Sequence, residues 1–508
     1  MNDVTLYNAY GRKVPNGRTR HPKAFFGNGW KGANDDGLSD WAMQPIDINT
    51  LLRNDLRTLR ARSRDLARND DTAKRYIHLV KQNVLGHAGI RLQARNKMRS
   101  GKKPDKAWND AIESEWKSFG QCRRYRGFAS SPTACGTMTM RQAAWLAVIM
   151  RVVDGESIIQ ILRGYPHNKN RFAFRFLNPD LLDSGFTDES RDGNRIIMGV
   201  ELDEFDRPIA YHFNTLTQKG TITKRNKDRI RIPANQIIHH FRREYVGQVR
   251  GIPDFATIMH KQKMLNGVHE AIVVGWRVAA SKMGFFKTTS VDAEFDTGEY
   301  DEFGDMLLDA TPGTFENLPP GVGVETFDPE YPTSTYESGH KVFMQQMANG
   351  LNVSSPTLSN NYEGVNYSSL RQALLEDREG WRCMQAEMVD GFYQPLFDEW
   401  YDWSANATRT ISLPEKKRQL DPEIEWQPRG WPWVDPLKEV NAHEKAVNNT
   451  FRTHQSVLAE TSGADFADTV ATRSEENKML QEHGLVTGIN IDTSKLNDKQ
   501  TDESKDEE

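Results

Sequence analysis

The chain has 508 residues, a formal net charge of −4 and a hydrophobic content of only 37%. A chain of this length buries a sizeable core and, as a prior, forms about three domains. The near-neutral net charge excludes a protein that binds nucleic acid non-specifically over its whole surface. The longest apolar run, 271–280, contains Arg277 and is too short to span a bilayer, and the polar start predicts no signal peptide. We therefore expect a soluble protein without membrane contact.

Charge is unevenly distributed along the chain. The first 32 residues carry six Lys and Arg against Asp3 alone, which predicts a flexible basic arm over 1–40. Between Phe285 and Pro332 there are twelve Asp and Glu and one Lys, and the end of the chain, 486–508, is an acidic tail predicted to be disordered. The three cysteines form no CxxC pair, which predicts free thiols and a reducing compartment: Cys122, Cys135 and Cys383.

Helical periodicity dominates the first part of the chain. Asp47 is suited to cap the first helix, and Gly86 to end the second. The apolar spacing predicts helices over 47–67, 71–85, 106–119 and 140–153.

The middle of the chain changes to strand periodicity. "GESIIQIL" is a β run, "RIIMGVELDEFDRPIAYHF" predicts two strands around a polar turn, and "RIRIPANQIIHHF" predicts two more strand segments interrupted at Pro233. We therefore predict a mixed α+β region that reaches to about residue 253.

Long helices follow. The pattern predicts a helix over 254–285 of about 48 Å, a shorter helix over 337–352, and a long helix over 366–404 that bends at Pro395. Helices of this length exceed the radius of an ordinary compact domain, so we expect an elongated molecule.

Small residues form a stripe on the first of these long helices, at Gly267, Ala271, Gly275 and Ala279. A glycine inside a helix costs about 1 kcal/mol relative to alanine, so two of them in one line indicate that another backbone approaches closely. The approaching backbone belongs either to another helix of this chain or to the same helix of a neighbouring subunit.

Sequence motifs give no positive case for an active site. There is no GxxxxGK[ST], no GxSxG and no HExxH, and "DTGEYDEFGD" lacks the alternating carboxylates of an EF-hand. Alternation along a strand puts His239 and His240 on opposite faces, where they do not share a metal. We predict no catalytic residue, no cofactor and no metal site.

The collinear order of several segments carries a family resemblance. "LRARSRDLARNDDTAKRYIHLVKQNVLGHAGIRLQ" is followed by "NPDLLDS", "GVELDEFDRPIAYHF", "IPANQIIHHFRREYVGQVRGIPDFA", "NYSSLRQALLEDREGWR" and "WVDPLKEVNAHEKAV". From about residue 40 to about residue 485 the chain resembles the lambda-type bacteriophage portal proteins. The arm, the details of the acidic segment and the acidic tail lie outside the resemblance.

The resemblance implies a predominantly helical, elongated α+β portal fold with wing, stem, clip and crown regions, assembled as a ring around a central channel. Carried onto this chain, it divides the residues between the arm and the tail as follows: wing 41–253, first stem helix 254–285, acidic clip 286–333, second stem helix 334–352, tunnel loop 353–365, long wing helix 366–404, and outer wing and crown 405–485.

The resemblance also implies a function without catalysis. The ring, typically of twelve subunits, lies at one capsid vertex of the virion after assembly in the host cytoplasm, and double-stranded DNA enters and leaves through it. The implied partners are the terminase large subunit, the major capsid and scaffolding proteins, and the head-completion or tail adaptor proteins.

Three groups of residues then acquire candidate roles. The tunnel loop contains no Lys or Arg, so its polar side chains would contact passing DNA only weakly, as a sliding substrate requires: Ser359, Asn360, Asn361 and Tyr362. The small-residue stripe would pack subunits together. The acidic clip would repel DNA and present charge to basic partners, through Asp292, Glu294, Asp296, Glu299, Asp301, Glu302 and Asp305.

Two alternatives remain open. A nucleic-acid-processing enzyme, such as a nuclease, could use Asp180, Asp183 and His239. A capsid adaptor protein that forms no ring would differ from a portal only in its assembly. By themselves, the loop could also be an ordinary helix connection and the acidic segment a solvated surface.

Overall fold

The computed structural model describes residues 46–98, 105–125, 128–190, 193–216, 222–223, 229–280, 284–288, 322–326, 336–431, 436–461 and 466–483. The predicted basic arm, most of the predicted acidic clip and the predicted acidic tail lie outside these residues.

Helices make up most of the regular structure in the described part of the chain. They are α1 (Ile48–Asn69), α2 (Asp71–Val80), α3 (Lys106–Phe119), α4 (Met140–Asp154), α5 (Met259–Ala280), α6 (Tyr336–Gly350), α7 (Ser355–Ser359), α8 (Tyr367–Met388), α9 (Gln394–Asp402), α10 (Glu415–Arg418), α11 (Pro436–Asn448), α12 (His454–Thr461) and α13 (Phe466–Glu482). No helix among the described residues is long and apolar enough to cross a membrane.

The strands lie mainly between α4 and α5. They are β1 (Arg91–Ala94), β2 (Arg123–Tyr125), β3 (Phe128–Ser130), β4 (Glu156–Arg163), β5 (Phe172–Leu177), β6 (Asp188–Glu189), β7 (Arg195–Ile197), β8 (Val200–Leu202), β9 (Pro208–Phe213), β10 (Thr215–Leu216), β11 (Ile222–Thr223), β12 (Ile230–Pro233), β13 (Ile237–Phe241), β14 (Gly284–Thr288), β15 (Val322–Thr326) and β16 (Ile424–Gln427). The predicted α+β class, predominantly helical, is confirmed.

The first two helices begin and end where the sequence predicts. The Asp47 carboxylate accepts hydrogen bonds from the backbone N–H groups of Asn49 (3.0 Å) and Thr50 (3.2 Å), so it caps α1. A π turn continues α2 through Leu85, and Gly86 then leaves the helix with a φ of +61°.

Two antiparallel sheets form the middle of the chain. One has the strand order β12-β9-β8-β7-β6 and the other has the order β13-β4-β5. Residues 195–213 were predicted to form two strands but form three, because Met198 and Gly199 adopt positive φ angles and turn the chain between β7 and β8. The strands on either side of Pro233 belong to different sheets.

The predicted long helix over 254–285 is wrong in extent. Asp254–Thr257 is a 3-10 turn, α5 covers 22 residues or about 33 Å, and Phe285 lies in β14. Aromatic Phe285 and Phe286 favour a strand, and antiparallel pairing of β14 with β15 provides their backbone partners.

The second long helix agrees better with its prediction. The chain stays helical from α8 through a π turn (Val389–Tyr393), α9 and a second π turn (Trp403–Ala407). The first π turn lies directly before Pro395, which has no N–H to donate to the preceding turn. The wider π turn at this point relieves the clash between the proline ring and the preceding turn. That clash was the reason for predicting a bend at Pro395.

Aromatic side chains hold this helix in the main core. Trp116 of α3 lies edge-on against Trp400 of α9, with ring centres 5.0 Å apart, and against Phe397 at 5.5 Å. Trp426 of β16 completes the group, because β16 pairs with β1 and brings the chain back to this core. Such edge-to-face pairs add to the free energy gained by burial.

A buried ion cluster holds α1 against the sheets. The Glu156 carboxylate is fully buried and receives hydrogen bonds from Arg60 (2.5 Å) and Arg250 (2.7 Å), which are also buried. Arg250 also donates to the carbonyls of Leu182 and Met198. Burial alone would raise the pKa of Glu156, but the charges of Arg250 and Arg60 hold that pKa well below its usual value.

Candidate channel loop and subunit-contact helices

The segment between α6 and α8 has a structured base and an exposed tip. The segment 353–365, which the resemblance assigns to the tunnel loop, contains a short helix in its first half, where Pro356 lies in the first turn of α7. Asn360 ends α7 with a φ of +56°. The following residues to Gly364 are exposed, and Tyr362 exposes 45% of its surface.

One carboxylate fixes the base of this segment. Asp377 of α8 is 6% exposed and accepts hydrogen bonds from the Ser354 N–H and hydroxyl (both 2.7 Å) and from the Thr357 hydroxyl (2.8 Å). Arg75 of α2 donates to the Thr357 carbonyl at 3.2 Å. The base is therefore held by α2 and α8. The role of Asp377 could not be predicted from the sequence, because it depends on contacts between separate elements.

The predicted DNA-contact residues differ in their surroundings. Ser359 is the last residue of α7, is half-buried and donates to the Ser355 carbonyl at 2.8 Å. The Asn361 side chain accepts from the Glu363 N–H at 2.9 Å, which shapes the turn. Asn360, Asn361 and Tyr362 are exposed, so the tip presents neutral polar groups together with the acidic Glu363.

Polar contacts fix the start of α5 to the rest of the molecule. Asp70, at the junction of α1 and α2, accepts hydrogen bonds from Gln262 (2.7 Å) and Asn266 (2.8 Å). Asp254, just before α5, pairs with the buried Arg151 at 2.6 Å. These contacts hold the first turns of α5.

Further along, α5 and α6 leave apolar side chains uncovered. Met264 is 62% exposed and Trp276 is 51% exposed. Exposed apolar groups that share a surface mark interaction sites in soluble proteins. The other large apolar side chains exposed on these two helices are Val268, Val273, Val274, Val342 and Phe343.

The small-residue stripe lies open on this part of α5. A Cβ atom added at Gly267 or Gly275 would meet no other atom of the described chain within 4 Å. Ala271 is exposed, and the side chain of Ala279 lies outside the described residues. Among the residues described, no helix of the same chain therefore accounts for the two glycines.

The acidic clip residues cannot be placed. Asp292, Glu294, Asp296, Glu299, Asp301, Glu302 and Asp305 all lie outside the described residues. Of the segment 286–333, only parts of β14 and β15 are described, and they pair antiparallel with Gly284 opposite Thr326.

The residues of the nuclease alternative are each engaged in a different ion pair. Asp180 pairs with Arg64 at 2.5 Å, and Asp183 pairs with Arg229 at 2.7 Å. The described residues contain no group of three or more His, Cys, Asp or Glu side chains that could hold a metal ion. Two carboxylates that each face an arginine are poor metal ligands, because the guanidinium group already occupies the oxygens that a metal ion would need.

The two adjacent histidines of β13 face opposite sides, as predicted. His239 bonds to Glu156 at 3.0 Å, and its ring lies 5.5 Å from that of Tyr211. His240 instead packs against the backbone of Gly391 in the π turn. Burial lowers the pKa of both imidazoles, and for His240 burial and the nearby Arg151 charge lower the pKa to about 3. The three cysteines are free thiols, as predicted.

Comparison with known proteins gives the family. Residues 35–385 match the family model described as phage portal protein, lambda family. The match spans more than half of the chain, so the chain belongs to the lambda family of phage portal proteins. The predicted resemblance is confirmed.

Individual relatives agree with the family. The chain is 28% identical over 469 residues to a probable portal protein of Halomonas phage phiHAP-1, covering 90% of this chain and 85% of the relative. It is 22% identical to portal protein B of Escherichia phage lambda, covering 88% of each chain. The portal protein of Escherichia phage N15 is 21% identical, with 84% of each chain covered.

Solved structures with a similar chain come from gene transfer agent particles. One is titled "Neck of native GTA particle computed with C12 symmetry" and has a TM-score of 0.42 and 11% sequence identity, covering 80% of this chain and 94% of that chain. Another, "Virion of native gene transfer agent (GTA) particle", has a TM-score of 0.38 and 11% identity, covering 83% and 97%.

Proposed function

We propose that copies of this chain form a ring of twelve subunits at one vertex of the phage capsid and that double-stranded DNA passes through its channel. The observation that carries the assembly is the uncovered apolar surface of α5 and α6. A second copy would remove Trp276 and Met264 from water, at about 25 cal/mol for each Å² of apolar area. The open glycine stripe would let the neighbouring helix come close.

In this proposal, α5 and α6 form the stem, the segment 286–333 the clip, and residues 41–253 with 366–485 the wing and crown. The clip would carry its acidic charge to basic surfaces of the terminase large subunit during packaging, and of head-completion or tail proteins afterwards. The major capsid and scaffolding proteins would hold the ring in the shell. Assembly would take place in the host cytoplasm.

The exposed tip at 360–364 would line the channel. Asn360, Asn361 and Tyr362 offer neutral hydrogen-bonding groups to phosphates, and Glu363 adds a negative charge that repels them. The absence of Lys and Arg avoids the strong ionic attachment that would resist movement. Asp377 would keep the base of the segment fixed while the tip meets the DNA. No catalytic step is part of this function.

The first experiment measures the native mass of the purified full-length protein, with negative-stain images of the same sample. Rings with a central hole would support the conduit and contradict the ring-free adaptor. A stable monomer, also in the presence of scaffolding protein, would overturn the ring. DNA cleavage in the presence of magnesium, lost on Asp180→Asn, would favour the nuclease alternative.

The role of the tip is tested by adding a single positive charge. Tyr362→Lys should slow terminase-driven packaging, most strongly at low salt, because each new phosphate contact is ionic and screened by salt. Tyr362→Gln leaves the charge of the tip unchanged and serves as the matched control. Equal packaging rates for the two variants at every salt concentration would remove the tip from the mechanism.

A further inference from the structure

Two histidines face each other across α5 and α6. The ring centres of His269, on α5, and His340, on α6, lie 5.2 Å apart, and the ring planes are inclined by 34°. Tyr336 lies beside both, with its ring centre 6.2 Å from that of His269 and 5.9 Å from that of His340. Neither histidine has a role in the function proposed above.

The pair contains a polar atom whose hydrogen-bonding capacity is unused. Nε2 of His269 is buried and has no hydrogen-bond partner among the described residues. A buried imidazole nitrogen without a partner is costly, and such atoms in native proteins call for an explanation, which an ion can provide. The ring of His340 faces that of His269 and supplies a second imidazole beside this nitrogen.

We propose that His269 and His340 together bind a divalent transition-metal ion such as zinc, and that the metal links α5 to α6. Zinc bonds to imidazole nitrogen at about 2 Å in tetrahedral geometry, which sets the ring centres of two imidazole ligands about 5 Å apart. The ring centres of His269 and His340 lie 5.2 Å apart, which agrees with this distance. Imidazole suits zinc, copper and nickel, whereas magnesium and calcium prefer oxygen.

Water completes the coordination in this site. Within the described residues no third His, Cys, Asp or Glu joins the pair. Two protein ligands give weaker binding than the four of a structural zinc site, so the metal exchanges with solution. The site escapes motif searches because its ligands come from two helices, whereas the familiar histidine pairs lie one turn apart on one helix.

The test is titration of the full-length protein with ZnCl2 by calorimetry, with Co²⁺ as a spectroscopic probe of tetrahedral geometry. Wild type should bind zinc in one class of site per chain, and His269→Gln or His340→Gln should each weaken that binding by about tenfold or more. His260→Gln removes an exposed histidine of α5 and should bind as wild type does.

Zinc should also raise the unfolding temperature of wild type and His260→Gln but not of the two site variants, because a ligand stabilises only the state that binds it. Circular dichroism checks that each variant is folded, and if one fails, the other carries the test. Zinc binding by His340→Gln or His269→Gln that equals wild type, or no zinc binding by wild type, would overturn the site.

Discussion

Glu156 shows what a single buried charge does in this molecule. Its carboxylate joins Arg60 of α1 to Arg250, which lies between β13 and α5, and its Oε2 also accepts the Gly251 N–H at 3.0 Å. Each guanidinium also donates hydrogen bonds to backbone carbonyls, whose dipoles stabilise the positive charge that the single carboxylate does not balance. Two arginines are thereby retained in the interior at the cost of desolvation.

Replacement Glu156→Gln should destabilise the protein by about 3–5 kcal/mol, because it removes the counter-charge of the buried Arg250 and leaves the buried Arg60 with the more distant Asp180 at 3.8 Å. Denaturant unfolding of the purified variant measures this loss. Asp206→Asn is the control, since its partner Arg195 is 54% exposed and such surface pairs contribute less than about 1 kcal/mol. A loss for Glu156→Gln no greater than for the control would contradict the role of the cluster.

His240 should make stability depend on pH. In the folded protein its pKa is lowered to about 3 by burial and by Arg151, whereas the unfolded chain has a histidine pKa of about 6.5. The unfolded state therefore binds the proton first as the pH falls, and stability is lost between those two pKa values. At about pH 5 the loss due to this group amounts to about 2 kcal/mol.

Comparison of variants isolates this contribution. Between about pH 7.5 and pH 5, His240→Asn should lose about 2 kcal/mol less unfolding free energy than wild type. Only the change with pH is compared, because the substitution also alters packing against Gly391. His260→Asn, on an exposed position, should keep the wild-type pH dependence; an unchanged dependence in His240→Asn would refute the prediction.

At the scale of elements, the segment before α8 combines fixed and free parts. Asp377 binds three donors at its base, while the tip beyond Asn360 is exposed. Asparagine in place of Asp377 has the same shape as aspartate but no charge. Each hydrogen bond to a charged group contributes about 1.5–3 kcal/mol, so the substitution weakens all three hydrogen bonds.

Asp377→Asn should therefore release the base of the segment. Amide hydrogen exchange of a peptide covering 351–361 should become faster, while peptides from the core of α8 stay protected. Glu376→Gln, on the exposed side of the same turn, is the matched control and should leave the exchange unchanged. Equal exchange in the two variants would show that Asp377 does not hold the base.

Elements with a local signal were predictable from the sequence, and those set by distant partners were not. Asp47 and Gly86 mark helix ends through their own side chain or backbone, so α1 and the end of the second helix are where the sequence predicts. The end of α5 was missed because residues 284–288 form a strand only by pairing with 322–326. Helix periodicity contains no information about that pairing.

The candidate sites follow the same division. The polar tip and the glycine stripe could be read from composition and spacing. Asp377, the Glu156 cluster and the His269–His340 pair could not, since each is assembled by packing between elements far apart in the chain. For the small-residue stripe, the structure adds that Gly267 and Gly275 are open within the described chain, which the spacing alone does not show.

At the scale of the whole molecule, the surface of α5 and α6 implies a partner. A monomer in water would expose Trp276, Met264 and Phe343 on these two helices. It would also leave Gly267 and Gly275, each costly inside a helix, with no atom of the described chain within 4 Å of an added Cβ. A ring of identical subunits covers such a surface on every copy, because each subunit presents it to a neighbour around a closed axis.

Gly275→Leu should abolish or strongly reduce ring formation while leaving the monomer folded. Nothing in the described chain lies within 4 Å of the new Cβ position, so this Cβ adds no clash with the described residues, and the substitution removes one helix glycine. The leucine would instead hold a neighbouring helix away. Size-exclusion chromatography with light scattering gives the ring fraction, and circular dichroism confirms the fold.

Arg277→Leu supplies the matched control, because it adds the same side chain about 200° around α5 from Gly275. Rings in this control and monomers in Gly275→Leu would assign the close contact to the stripe. Loss of rings in both variants would indicate that neighbouring subunits contact α5 on several sides and that the small residues have no special role. Normal ring yield from Gly275→Leu would mean that the glycines serve neither a neighbour nor the assembly, and the interface would then have to lie elsewhere on the chain.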